Sequence, residues 1–223
     1  MEFRHEWKHV ITAADRIAVR QRMSAVGRPD IHGQEGKYLV RSLYFDDPRD
    51  KALREKLSGI SRREKFRIRC YDLNYGVIHL ECKRKMAGLG RKDSCDLTAR
   101  EVDFIQNGQL AWMAEDDRPL VRELYHKMRT QGLRPKTLVD YTREAFVYPA
   151  GNVRVTLDYD IRTGLGRTDL LDPRVPTLPI PGDPILLEVK WDNFLPGVIR
   201  DVIQLEGVRS TAFSKYAACR MYD

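Results

Sequence analysis

The sequence predicts an α+β fold: one domain over residues 1–223, with an antiparallel β-barrel closed into a tunnel, its interior charged and its outside flanked by helices. Three observations predict it. Charged and apolar residues alternate strictly in KFRIRCY (65–71), and the same period of two returns in segments 3–10, 78–85, 153–162 and 185–191. Capped amphipathic segments lie between the alternating ones. The charged positions of each strand share one face, so the apolar faces can take cover from helices while the charged face turns inward. Closure would also remove the exposed edges of the sheet.

The elements follow in order. A first strand over 3–10 sets Arg4, Glu6 and Lys8 opposite Phe3 and Trp7. Thr12-Ala13-Ala14-Asp15 reads as a capping box that opens a helix, with Gly27 beyond its end. A strand over 38–46 comes next. Asp47-Pro48 starts a second helix that carries Leu53 and Leu57 on one face and stops at Gly59. Strands over 65–72 and 77–85 follow. A second capping box, Thr98 to Glu101, leads a helix that ends near Gly108, and Pro119 opens another that closes at Gly132. Strands over 137–147, 153–162 and 185–191 complete the sheet, and 214–220 forms a short last helix. The proline-rich stretch 173–184 is a surface loop, because the strand after it repeats the earlier alternation. Both GLGR copies, 88–91 and 164–167, read as plain loops; neither is a P-loop.

Composition narrows the function. The chain is 42% hydrophobic, enough for a core and too much for disorder. No apolar run reaches the length of a membrane span, and the polar start MEFRHEWKHV carries no signal peptide. Cys70, Cys82, Cys95 and Cys219 form no CxxC pair, which speaks against structural zinc and for a reduced, cytoplasmic protein. Lys and Arg outnumber Asp and Glu 39 to 32, a net charge of +7 that points to an anionic partner. Nucleic acid fits poorly, because the cations alternate along strands without the stacking aromatics that single strands require.

Each strand taken alone is consistent with a sheet that has one wet face. The residue types point further. Lys65, Arg67 and Arg69 share a face, as do His79, Glu81, Lys83 and Lys85, then Tyr141 and Arg143, then Arg154, Thr156, Asp158, Asp160 and Arg162. An acid stands two positions before a lysine in Glu6/Lys8, Glu81/Lys83 and Glu188/Lys190. Guanidinium forks grip phosphate oxygens bidentately and lysines add point charge. Carboxylates set among them suit Mn²⁺ or Mg²⁺, hard cations that bridge phosphate oxygens. Phosphoryl transfer needs positioning and charge neutralisation rather than a nucleophilic triad. The histidines His5, His9 and His79 read as structural, and Arg62, Arg63 and Arg84 as solvated surface. Asp158 and Asp160 are expected to orient arginines.

The glutamate–lysine pairs, with RIRCY, HLECKRK, VRVTLDYDIR, LLEVK and FSKY in this order, resemble the VTC domain of the triphosphate tunnel metalloenzyme (CYTH-like) superfamily. The likeness runs from Phe3 to Tyr216. It implies an antiparallel barrel tunnel and a polyphosphate polymerase, which moves the γ-phosphoryl group of ATP onto a growing chain with a divalent metal, usually manganese. Carried over by position, it implies phosphate-handling roles for Lys8, Arg67, Arg69, Lys83 and Arg154, metal ligation by Glu188, and a place over the tunnel mouth for Ser214 and Lys215. The charged faces themselves add Lys190 to the expected catalytic groups, Arg4, Lys65, Lys85, Arg143 and Arg162 to the substrate contacts, Tyr44 as a lining or packing ring, Glu6 as a metal ligand, and Glu81 as either a metal ligand or a partner of Lys83 or Arg67. The wider superfamily begins ExExK, whereas this chain has Arg4-x-Glu6-x-Lys8. The expected partners are ATP, triphosphate and polyphosphate, with a membrane-protein partner that the sequence itself does not reveal. Two alternatives keep the same residues: a metal-dependent inorganic or nucleoside triphosphatase, in which water replaces the acceptor and Glu81 orients it, and a non-catalytic polyphosphate-binding module.

Overall fold

The computed structural model describes residues 4–30, 36–86, 89–205, 207 and 210–223. Phe3 and Gly88, both named above, lie outside these residues. The chain divides into two compact units, each assembled from separated stretches. Unit 1 takes Met1–Leu39, Tyr141–Ile161 and Pro181–Phe213, and unit 2 takes Val40–Asp140, Arg162–Ile180 and Ser214–Asp223. The strands are β1 (His5–Ile11), β2 (Arg28–Pro29), β3 (Lys37–Asp46), β4 (Arg63–Tyr71), β5 (Asn74–Met86), β6 (Leu89–Leu97), β7 (Arg134–Tyr148), β8 (Val153–Thr163), β9 (Leu178–Pro179) and β10 (Ile185–Trp191). The helices are α1 (Ala13–Val26), α2 (Lys51–Leu57), α3 (Ala99–Gln106), α4 (Pro119–Gln131), α5 (Gly197–Val202) and α6 (Lys215–Arg220). None of the described helices is long and apolar enough to cross a membrane.

The expected closed barrel does not form. The sheet is open, with strand order β1-β10-β8-β7-β3-β4-β5-β6, and no pairing among the described residues joins β1 to β6. Closure would require these two end strands to exchange backbone hydrogen bonds. One side of β1 pairs with β10 from His5↔Trp191 to Ile11↔Ile185. Its other side is taken by a later segment of unit 1: His9 bridges Ser210, and the Thr211 N–H donates to the Lys8 carbonyl at 2.8 Å. The edge that closure needs is thus already engaged, which is also how natural sheets protect an end strand.

In unit 1, α1 starts at the predicted capping box, with Thr12 and Asp15 exchanging backbone and side-chain bonds. It buries Val19 and Met23 in a core with Val155, Leu157, Leu187 and Val189. Those strand residues are the apolar half of the alternation, so their charged neighbours face the other way. In unit 2, Phe66 and Ile68 of β4 and Ile78 and Leu80 of β5 pack with Val102 of α3 and Leu124 of α4. The second capping box forms as predicted, between Thr98 and Glu101.

Some elements depart from the sequence reading. Leu89–Arg91 of the first GLGR belongs to β6 rather than a loop. Most side chains of β6 are exposed, and the strand exists because it pairs with β5 from Ile78↔Leu97 to Met86↔Leu89. In β8, Asp160 has a left-handed φ of 49° and is exposed, unlike the fully buried Asp158 on the same strand. Arg84 is not solvated surface: it is half-buried and pairs with Asp93, Glu64 and Glu123.

One carboxylate ties several elements of unit 2 together. Asp46, at the end of β3, is 1% exposed. It accepts hydrogen bonds from the Asp47 N–H (2.9 Å), the Ala52 N–H (2.8 Å), the Leu53 N–H (3.1 Å) and the Tyr216 hydroxyl (2.6 Å). Two of those donors belong to the first turn of α2, where N–H groups lack helical partners. Asp46→Ala is expected to lower the unfolding free energy by about 2–4 kcal/mol, because several buried donors lose their acceptor at once. Tyr216→Phe should lower it by only about 1 kcal/mol. Urea denaturation of both variants checks this, and equal losses would contradict the central role of Asp46.

Candidate functional site

Each unit carries a polar sheet face built by the alternation. In unit 2, β4 sets Lys65, Arg67 and Arg69 on one side. Cross-strand register brings Tyr44 and Glu81 beside Arg67, and Ser42 and His79 beside Arg69. Arg67 is 6% exposed and Arg69 4%. Arg67 Nε donates to Glu81 Oε2 at 2.7 Å, and its Nη1 donates to the Tyr44 hydroxyl at 3.0 Å. Glu81 Oε1 accepts from Lys92 Nζ at 3.0 Å, and Arg69 Nε donates to Ser42 Oγ at 2.9 Å. Tyr44 stacks on Tyr216 with centroids 5.0 Å apart. Lys65 Nζ lies 5.1 Å over the Tyr216 ring and donates to Ser214 Oγ at 3.3 Å. Ser214 also caps α6, accepting from the Ala217 N–H.

The electrostatics follow from this packing. Burial pushes the Glu81 carboxyl up, but Arg67, Arg69 and Lys92 outweigh it and hold the group well below the usual carboxylate range. Burial likewise opposes ionisation of Tyr44, yet Arg67 and Arg69 bring its phenol below the ordinary value. Lys65 moves the other way. Burial, helped by Lys56 and Arg63, pulls its ammonium down to about 8, against Tyr44 and Asp46.

In unit 1, Lys8, Glu188 and Thr156 lie in line across β1, β10 and β8, and the next line holds Glu6, Lys190 and Arg154. Lys8 Nζ is 2.6 Å from Glu6 Oε1 and 3.5 Å from Glu188 Oε2, while Lys190 pairs with Glu188 Oε1. Burial opposes the Lys8 charge, but Glu188 and then Glu6 overcome it and raise the group above the usual lysine value. Arg143 makes a two-pronged bond to the fully buried Asp158, at 2.6 and 2.8 Å. Burial opposes this guanidinium too, and Asp158 outweighs it. Arg154 Nη2 reaches the Tyr38 hydroxyl at 2.8 Å and Asp30 at 2.6 Å.

The predicted site residues differ in how far they are drawn into these faces. Lys83 and Lys85 lie across from Lys65 and Arg63 in register with Glu81, but both are exposed. Arg162 donates to the Thr177 hydroxyl and carbonyl. Arg4 pairs with Asp192 at 2.7 Å at the end of β1. Lys215 is the half-buried first residue of α6. Asp30, Tyr38, Ser42 and Lys92 organise the faces but were not singled out in the sequence, since each acts through a partner on another strand or loop.

Of the expected metal ligands, Glu6 and Glu188 stand in unit 1 and Glu81 in unit 2. Among the described residues no group of three or more His, Cys, Asp or Glu side chains could hold a metal. Glu81 is taken by Arg67 and Lys92. Glu6 and Glu188 both approach Lys8 Nζ, from two sides of one face. A divalent ion carried on phosphate oxygens needs only one or two protein carboxylates, so this pair fits such an ion when phosphate supplies the other oxygens.

Glu81 makes a pH test. Its folded value lies below the ordinary 4.5, so its stabilisation is complete above about pH 5 and is lost as pH falls through and below 4.5. Glu81→Gln is expected to be less stable near neutral pH and to show a flatter acid limb. Denaturation midpoints from about pH 3 to 7 check this; parallel curves for variant and wild type would refute it.

Comparison with known proteins agrees with this architecture. The VTC domain family matches residues 3–222. Among solved structures, HpAC1 from Hippeastrum, named for adenylyl cyclase and having a dominant triphosphatase activity, aligns with TM-score 0.55 at 14% identity, over 99% of this chain and 96% of its own. A Vibrio parahaemolyticus protein named for adenylate cyclase aligns with TM-score 0.50 at 11% identity, over 90% of this chain and 82% of its own. A Bacillus halodurans protein of similar name gives TM-score 0.48 at 15% identity, over 85% and 80%. At these identities the Hippeastrum and Vibrio structures speak for the fold alone. No curated protein matches the sequence. The chain belongs to the VTC domain family.

Proposed function

We propose that this chain hydrolyses the terminal phosphoanhydride bond of a triphosphate, inorganic or nucleoside, with a divalent ion. The observation that carries the reading is the buried Arg67–Arg69 pair on β4, with its guanidiniums fixed by Glu81, Tyr44 and Ser42. Arginines this dry and this well oriented suit an anion with several charges in a row. The dominant triphosphatase activity of HpAC1, which shares the fold, supports the same chemistry.

Water attacks the terminal phosphorus, the bridging P–O bond breaks, and diphosphate or a nucleoside diphosphate leaves. The water's protons pass to phosphate oxygen and solvent. In unit 2, Arg67 and Arg69 are the groups that hold phosphate oxygens; in unit 1, Arg143 and Arg154 offer guanidiniums of the same kind, and Lys8 and Lys190 supply positive charge against the leaving group. A divalent ion held by Glu188 and Glu6 would supply further charge neutralisation at the phosphate oxygens. Glu81 is too weak a base to activate water, since its carboxylate is held far below neutrality by its cations. It acts by aiming Arg67.

A second reading, polyphosphate synthesis from ATP, is favoured by the match to the VTC family over nearly the whole chain. There the terminal phosphate of a chain replaces water. Incubation with inorganic triphosphate and with ATP, each with Mn²⁺, separates the two. Free phosphate as the main product supports hydrolysis, long polyphosphate with ADP supports the second reading, and no turnover of either substrate ends both.

Arg67→Ala is expected to lower kcat/KM by about 10²–10³-fold, as loss of a preorganised donor does, and Arg67→Lys to be nearly as harmful because a point charge cannot replace the fork. Glu188→Gln should abolish metal-dependent turnover yet bind metal-free triphosphate at least as tightly as wild type, since Lys8 and Lys190 are released from it. Steady-state kinetics and calorimetry report the two effects. Unchanged turnover in Glu188→Gln would remove the metal role from this residue.

A further inference from the structure

Thr156 stands at the centre of the unit 1 face and has not been given a role. It is 4% exposed, and its hydroxyl oxygen has no hydrogen-bond partner among the described residues. Continuous register across β10 places it directly beside Glu188, which in turn faces Lys8 on β1. Along β8 it lies between Arg154 and Asp158, and the strand alternates regularly through these residues, so all three side chains project from the same face. Arg154, Asp158, Glu188 and Lys8 all hold partners there. The hydroxyl between them does not.

An unpartnered buried hydroxyl is unfavourable, and a strand that already holds Val153 and Val155 could carry valine here with the same shape and no such penalty. The hydroxyl can donate one hydrogen bond and accept others. Its neighbours on the face are two cations and two acids, and both acids are already paired, Asp158 with Arg143 and Glu188 with Lys8 and Lys190, so an arriving group that accepts a hydrogen bond and carries negative charge meets its requirements. A phosphate oxygen does both.

Resting on the triphosphatase reading above, we propose that Thr156 is a phosphate-binding residue, whose hydroxyl donates to a non-bridging oxygen of the triphosphate between Lys8 and Arg154. The bond completes the hydroxyl and adds a directional contact to a site otherwise made of charges. Thr156 binds and orients the substrate; it neither gives nor takes a proton in the reaction.

The test uses the full chain, with metal-free inorganic triphosphate titrated calorimetrically. Thr156→Val should weaken binding about tenfold, the size expected when one hydrogen bond to a charged group is lost. Thr156→Ser, which keeps the hydroxyl, should bind within about twofold of wild type. Without ligand, Thr156→Val should melt at or above the wild-type temperature, since it removes an unpartnered hydroxyl. Equal affinity of Thr156→Val and wild type overturns the proposal, as does a Thr156→Val protein that melts several degrees lower without ligand, because the hydroxyl would then have a structural partner. Failure of wild type itself to bind triphosphate overturns the functional reading on which this rests, and is told apart by the wild-type titration alone.

Discussion

A sheet can bury arginine only when each guanidinium meets a carboxylate or hydroxyl within the fold. Without one, desolvation of the charge outweighs what the surrounding packing contributes. Both polar faces obey this constraint. Arg67 leans on Glu81 and Tyr44, Arg69 on Ser42, Arg143 on Asp158, and Arg154 on Tyr38 and Asp30. The partners come from neighbouring strands in register, so the pleat that makes the sheet also sets the distances between charges. Residues that look like extra binding groups in the sequence, the acids above all, are what makes buried cations tolerable.

Under the proposed function the same pairing would matter again. A guanidinium already fixed by its carboxylate would lose little freedom when a phosphate arrives and would meet it in a set direction. The lysines behave differently. Lys8 and Lys190 share Glu188, and their ammonium groups sit on flexible stems, so they can turn from carboxylate to phosphate. Fixed arginines and movable lysines therefore contribute in distinct ways, orientation from the first and adjustable charge from the second.

Much of this was legible in the sequence, because alternation along a strand is a one-dimensional record of which side chains share a face. The polar faces of β4 and β10 and the Glu188/Lys190 neighbours could be read in this way, and both capping boxes from their own motif. Three things could not. Parity shows which face is polar but not whether the ends of a sheet meet, and here the edge of β1 is engaged by Ser210 and Thr211, far away in sequence. The strand β6 carries few apolar residues and is held by backbone pairing to β5. Asp160 takes a left-handed conformation inside β8, and aspartate adopts that local choice without any change of pattern around it. Thr156 was visible on the charged face, but an empty hydroxyl is a property of three dimensions.

The bond from Tyr216 to Asp46 has a bearing on biosynthesis. The two residues lie 170 positions apart, and Asp46 belongs to the third strand to leave the ribosome. While the nascent chain grows, the carboxylate can cap α2 but has no phenol to complete it, and the Tyr44 ring has nothing to stack on. Unit 2 reaches its finished packing only after residues beyond Phe213 have been translated, although most of its strands were made long before. Contacts that span so much chain form slowly, because the intervening loop must be ordered first. The exposed, unfinished sheet is then a natural client for chaperones during that interval.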